Sequence, residues 1–217
     1  MTDGAHHARG APIVFDYATL SLRERSRLAV RIVAPRPIAF VSTLSASGSG
    51  NLAPFSFFTA GGSNPPSLVF CAVNDRDGSE KHTLKNIEAT GEYVINVATA
   101  AMATGINRAS FEYPANVNEF DASGFTRAPS AKVKPPGVLE SPIRAECRLH
   151  TILRHGTGPS AGNYIVGEIL CLSVDPDVCT DGLPDSRKLE QLARLGADYY
   201  LAASAETLFE MPRPTTP

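Results

Sequence analysis

The stretch Asn74-Asp75-Arg76-Asp77-Gly78-Ser79-Glu80-Lys81-His82-Thr83-Leu84-Lys85-Asn86-Ile87 joins an apolar run to the start of a helical pattern. The first N–H groups of a helix have no intrahelical acceptor. Together with the Ser79 and Thr83 hydroxyls they form a cradle suited to a phosphate. Lys81, His82 and Lys85 fall in the first turns, where the helix dipole disfavours cations by about 0.3–1 kcal/mol each, and a bound anion reverses that penalty. The same segment also fits a capped surface helix whose basic residues are balanced by Asp75, Asp77 and Glu80.

A second chemical region is Pro35-Arg36-Pro37-Ile38-Ala39-Phe40-Val41-Ser42-Thr43, followed by Asn51-Leu52-Ala53-Pro54-Phe55-Ser56-Phe57-Phe58-Thr59. Both runs mix apolar side chains with small polar ones. Pro54 has no N–H, so its strand must lie at a sheet edge or break locally, which leaves backbone groups free for a ligand. Asn51, Ser42, Thr43 and Ser56 supply donors and acceptors, and Ala53 and Pro54 add little bulk. A flat ring with polar edges could lie against such a backbone, although an ordinary edge strand with turn residues fits too.

Other motifs give less. Gly156-Thr157-Gly158-Pro159-Ser160-Ala161-Gly162 has the spacing GxGxxxG and is followed by a strand pattern, so it reads as a hairpin loop rather than a dinucleotide loop. No Walker A sequence or GxSxG elbow occurs. Cys147, His150 and His155 are close in sequence, but positions 147 and 150 of a strand face opposite sides, so no metal site is expected there. His6 and His7 belong to a polar N-terminal stretch.

These residues must be held by the elements around them. Ser21 and Glu24 have capping-box spacing, and Leu22, Leu28, Ala29 and Ile32 predict a helix ending before Pro35. Further helices are expected from Ser79 to Gly91, from Thr99 to Asn107, and from Ser186 through Leu189, Leu192 and Leu195 to Gly196. Strands are expected at 36–44, 51–59, 67–74, 92–97, 143–153, 163–174 and 198–204, with hairpin connections at 45–50 and 155–162. Seven strands without a regular βαβ alternation predict a mainly β, antiparallel barrel with helical decorations. Residues 1–12 are expected to be a flexible arm, 13–209 the barrel and 210–217 an irregular tail.

Composition narrows the function classes. Twenty Lys+Arg against 22 Asp+Glu leave a net charge of −2, so no global field attracts nucleic acid or an anionic membrane. The longest apolar runs fall far short of the roughly 20 residues that span a bilayer, and no signal-peptide core precedes Gly10. The four cysteines form no CxxC and read as reduced thiols, consistent with a cytoplasmic protein.

Taken together, the stretches resemble the flavin reductase-like, FMN-binding split-barrel family, which includes flavoredoxin and the reductase components of two-component monooxygenases. Pro35-Arg36-Pro37-Ile38-Ala39 with Val41-Ser42-Thr43 is similar to the family's PRPIAWVST strand, and Asn51 to Phe58 to its NLAPFSFF strand. Asn64-Pro65-Pro66, Lys81 to Ile87, Gly91-Glu92-Tyr93-Val94-Ile95-Asn96, Asn118-Glu119-Phe120, Val166-Gly167-Glu168 and Arg194-Leu195-Gly196 follow in the family's order. The resemblance covers residues 15–203. It implies a Greek-key-like split β-barrel with a few peripheral α-helices, normally a homodimer. By position it places Ser42 and Thr43 near the ribityl chain or ring edge, Asn51, Ala53, Pro54 and Ser56 along the isoalloxazine, and Arg76, Lys81, His82 and Thr83 around the phosphate.

The implied activity is an NAD(P)H:flavin oxidoreductase that passes hydride from nicotinamide to FMN and supplies reduced flavin to a monooxygenase. A flavoredoxin-like electron-transfer protein with permanently bound FMN and a non-redox binding barrel are the alternatives. Since the flavin carries the chemistry, no catalytic side chain is assigned. Three positions depart from the family's pattern: His82 stands where Asp is common, Phe40 replaces the usual Trp, and Ser26 occupies a Tyr position.

Overall fold

The computed structural model describes residues 11–114 and 117–214 of the 217. The expected arm up to Gly10, with His6 and His7, and residues 215–217 of the expected tail lie outside the described residues.

In chain order the elements begin with α1 (Leu22–Ile32), β1 (Arg36–Pro37), β2 (Ala39–Leu44), β3 (Gly50–Phe55), β4 (Phe58–Ser63) and β5 (Pro66–Val73). After α2 (His82–Thr90) and β6 (Glu92–Val97) come α3 (Ala103–Ala109), α4 (Glu119–Ser123), β7 (Arg127–Ala128) and β8 (Gly137–Val138). Two long strands, β9 (Ile143–His155) and β10 (Gly162–Val174), lead into β11 (Cys179–Thr180), β12 (Leu183–Pro184), α5 (Ser186–Leu189), β13 (Gln191–Arg194) and β14 (Tyr200–Ala203). No described helix is long and apolar enough to cross a membrane.

Seven strands form one antiparallel sheet in the order β3-β2-β6-β9-β10-β5-β4, which curls into a mainly β barrel split between its edges. The polar loop after Leu44 makes the expected hairpin, pairing Leu44 with Gly50, and the glycine-rich loop joins His155 to Gly162. Pro54 pairs with Phe40 on β3, which is an edge strand, as a residue without an N–H requires. The expected strand 51–59 is two strands, because the chain leaves the ladder at Ser56 and Phe57 and re-enters as β4.

Alternation along β2 feeds two cores. Ala39 and Val41 join Phe55, Phe70, Leu84, Ile87, Tyr93 and Ile165 inside the barrel. Ile38 and Phe40 turn the other way, into a cluster with Leu52, Met102, Ile106, Phe120, Phe125 and Leu192 beneath α3 and α4. Burying each large side chain contributes about 1.5–3 kcal/mol, so both faces of β2 are fixed. Gly167 lies over the Tyr93 ring, where a Cβ would overlap the hydroxyl; only a residue without one lets β10 cross there.

The expected helix from Ser186 to Gly196 is overturned beyond its first turn. It stops at Leu189, Glu190 takes φ 42°, and Gln191 to Arg194 form β13, paired with β1 and β14. The leucines at helical spacing mislead because β1 and β14 supply ladder partners that local periodicity does not register. The helix expected from Ser79 starts three residues later, at His82. Leu195 and Gly196 instead meet the C-terminal end of α1, where the buried Arg36 guanidinium donates to the carbonyls of Val30, Val33 and Leu195.

Candidate functional site

The edge of β3 and the start of α2 form two walls of an open cavity of about 320 Å³. Asn51, Ala53, Pro54 and Phe55 come from β3, and Ser79 to Thr83 and Lys85 from the turn and first helical residues. The segment after α3, with Phe111, Glu112 and Tyr113, closes another side, and Glu119 of α4 and Arg194 of β13 complete the wall.

Lys81 occupies the N-cap of α2 without making a side-chain cap, and the first turn contains no acidic residue. The first-turn N–H groups therefore have no side-chain acceptor and face a cavity, which is the arrangement an anion needs. Thr83 is buried beneath this end, where its hydroxyl accepts from Asn51 Nδ2 at 2.9 Å. Asn51 also donates to Thr43 Oγ1 at 3.3 Å, and Asn86 Nδ2 donates to the same oxygen at 3.0 Å. This chain of side chains pins the α2 terminus to the β2–β3 hairpin.

Lys81 is not a free cation. Its Nζ pairs with Asp75 and lies 3.6 Å from Glu112, so an anion would have to share it. Glu80 is bridged to Arg154 at 3.2 Å. Lys85 and Arg194 have no carboxylate partner within ion-pair distance among the described residues, and Arg194 stacks its guanidinium over Tyr200 at 5.5 Å.

Six of the ten residues singled out from the sequence meet at this cavity: Asn51, Ala53, Pro54, Lys81, His82 and Thr83. The other four do not line it. Ser42 is fully buried and donates to the Pro136 carbonyl at 2.6 Å. Thr43, equally buried, reaches the wall only through Asn51. Ser56 sits at the corner between β3 and β4, where its hydroxyl accepts from Arg36 Nε at 3.4 Å. Arg76 is exposed on the turn before α2. Phe40 is also away from the cavity, packed edge to face against Phe125 at 5.1 Å.

Lys85, noted from the sequence as a first-turn cation, also lines the wall, whereas sequence reasoning missed Arg194, Glu119 and the Phe111–Tyr113 aromatic pair as wall residues. Phe111 and Tyr113 meet edge to face at 5.0 Å, and Phe111 remains exposed. Glu119 gave the clearest overlooked signal: it follows Asn118, whose side chain caps α4 by accepting from Phe120 N at 3.1 Å. Its carboxyl is buried, with Oε2 lacking a partner among the described residues. Burial pushes this carboxyl above the usual carboxylate range, against the smaller opposing pull of the Glu119 and Leu52 backbone amides and of His82.

Comparison with known proteins agrees with this architecture. The family model for the flavin reductase like domain matches residues 31–188. An uncharacterised protein of Halalkalibacterium halodurans is 34% identical over 199 residues, 91% of this chain and 94% of its own. Among solved structures, the 2-nitrobenzoate 2-nitroreductase of Pseudomonas fluorescens superposes with a TM-score of 0.84 at 25% identity, over 94% of this chain and 97% of that one. The nitrilotriacetate monooxygenase component B of Bacillus cereus superposes at 0.86 with 24% identity, over 95% and 100%. By the extent of the domain match and of the shared sequence, the chain belongs to the flavin reductase like domain family.

Proposed function

We propose that the protein is an NAD(P)H-dependent FMN reductase whose cofactor site is the cavity between β3 and α2. The observation that carries this reading is the uncapped start of α2 opening onto the same cavity as the Ala53–Pro54 edge of β3. The residues fit the group: the edge strand offers unpaired backbone and small side chains to a flat ring, and the helix terminus offers N–H groups to a phosphate.

In this reading the first-turn amides of α2, with Lys81, hold the phosphate, and Thr83 keeps Asn51 facing the cavity. His82, exposed at the same helix start, lines the cavity beside it. Phe111 and Tyr113 give the mouth an aromatic face against which a nicotinamide could lie. Bound here, a flavin would supply the hydride-accepting centre, so the side chains need only bind, orient and exclude water.

We extend the proposal to a homodimer that delivers reduced flavin to a monooxygenase. Exposed Ile13, Val14, Phe15, Phe209 and Met211 are the apolar surface available for pairing, and the component B likeness supports the oxygenase partner. Cytoplasmic residence belongs to the same proposal, on the strength of four free cysteines.

Anaerobic mixing of the protein with FMN and NADH or NADPH tests the activity. Loss of the oxidised flavin's absorbance with stoichiometric oxidation of the nicotinamide is expected. Saturable FMN binding without that oxidation would overturn the reductase and leave a flavoredoxin-like carrier. Absence of any flavin binding would remove both.

A further inference from the structure

Two buried polar side-chain atoms lack a hydrogen-bond partner among the described residues, the Tyr93 hydroxyl and Glu119 Oε2. Their surroundings differ. Tyr93 is sealed in the barrel under Gly167, with no space for a ligand. Glu119 is 93% buried, at 7% exposure, yet its residue lines the open cavity. Leaving a buried polar atom unpaired costs about 1–3 kcal/mol, and rotation about the last bonds of a side chain whose residue lines a cavity would bring that oxygen to an occupant and remove the cost.

The neighbours decide the form of the carboxyl. On its own helix, Asp121 is turned outward and engaged by Arg127. The packed strand β3 has no charged residue, and α3 carries only Arg108, which is exposed. The cavity is also lined by His82, Lys81, Lys85 and Arg194, with Asp75, Glu80 and Glu112, and His82 exerts a small opposing pull on the carboxyl. Lys81 is already engaged by Asp75, and no cation forms an ion pair with Glu119 among the described residues. A carboxyl buried without a cation is cheapest when neutral, and a neutral carboxyl is a hydrogen-bond donor.

We infer that Glu119 is a flavin-contacting residue, its protonated carboxyl donating a hydrogen bond to an acceptor atom of the bound flavin. This rests on the flavin reading of the cavity. It adds a donor from α4, one that the ionised carboxylate cannot provide. Flavin affinity therefore falls as Glu119 loses its proton, by about tenfold per pH unit once pH exceeds the pKa of the free protein.

The test is FMN binding to the full chain, followed by flavin fluorescence from pH 5 to pH 9, for wild type, Glu119→Gln and Glu119→Ala. The amide of Gln stays neutral and can donate at every pH, so its curve carries every pH effect except that of position 119. Expected is a wild-type affinity that falls away from that of Glu119→Gln as pH rises, with Glu119→Ala weaker than Glu119→Gln by about tenfold throughout. Circular dichroism on each variant separates loss of fold from loss of binding, and Gln preserves the shape if Ala does not fold. Parallel pH curves for wild type and Glu119→Gln would overturn the inference while leaving the flavin site in place. No flavin binding by any of the three proteins would overturn the site and this residue's role together.

Discussion

Glu146 and Glu119 are both nearly sealed from solvent, at 2% and 7% exposure, and their surroundings treat the carboxyl in opposite ways. Glu146, on β9, accepts from three successive backbone amides: Ala131 at 2.9 Å, Lys132 at 2.5 Å and Val133 at 3.2 Å. Its acceptors are used to fasten the loop before β8 onto the barrel. Glu119, on α4, has one oxygen without a partner among the described residues, at the wall of a cavity. Burial alone therefore does not mark a functional carboxyl. What distinguishes the two is whether the protein itself completes the hydrogen bonding, and at Glu119 it leaves that to whatever enters.

The sharpest way to break this comparison is Glu146→Ala. It strips three amides of their acceptor, the buried Val133 N–H among them, and should lower stability by about 2–3 kcal/mol, read as a fall in the urea midpoint. A loss no greater than that of Glu119→Ala would erase the distinction. Next in size is Lys81→Ala combined with Thr83→Ala, which removes the cation and the hydroxyl at the start of α2. FMN should bind about tenfold or more weakly, with riboflavin affected much less. Equal losses for both ligands would move the phosphate elsewhere.

A smaller effect is expected of Glu119→Gln on stability, and its sign depends on pH. The folded carboxyl is held above the ordinary Glu value of 4.5 by burial. Below that value folded and unfolded chains are both protonated, and the two proteins should unfold alike. As pH rises through the folded pKa, the wild type loses stability that the Gln variant keeps, and the gap levels off above it. Urea midpoints at pH 4.5, 6 and 8 measure it, and a constant gap would place Glu119 in a polar environment. The least effect belongs to Asp121→Asn, on the same helix: Asp121 is exposed and pairs with Arg127 at 2.9 Å, and salt screens such a pair. Its midpoint should not move measurably.

Much of the barrel was legible from local pattern. β-Branched and aromatic runs bounded by turn residues located β2, β5, β6, β9 and β10, and of the edge or local break that the missing N–H of Pro54 requires, β3 takes the edge. The α2 start was legible to within three residues, expected at Ser79 and found at His82, and Lys81, His82 and Thr83 fall at it. The rest depended on partners remote in sequence. Gln191 to Arg194 look helical by leucine spacing, yet pair with Arg36, Pro37 and the 200–203 strand. Whether Asp75, Asp77 or Glu80 balances Lys81 is left open by the sequence, and the fold of the turn before α2 selects Asp75. Phe40, which stands where the family commonly has Trp, lies on the face of β2 that packs under α4.

By itself the sequence determined the elements, since hydrophobic period, proline chemistry and helix-start signals act within a few residues of chain. It also placed one wall of the cavity. Only the tertiary structure decided which polar groups are satisfied and which are left open. No helix is expected from the sequence at Asn118-Glu119-Phe120, and it is the packing of α4 on β3 and α3 that removes the Glu119 side chain from water beside the cavity that β3 and α2 also line. Hydrogen-bond satisfaction and desolvation depend on every group within a few ångströms, and in this fold those groups come from segments that the linear order keeps far apart.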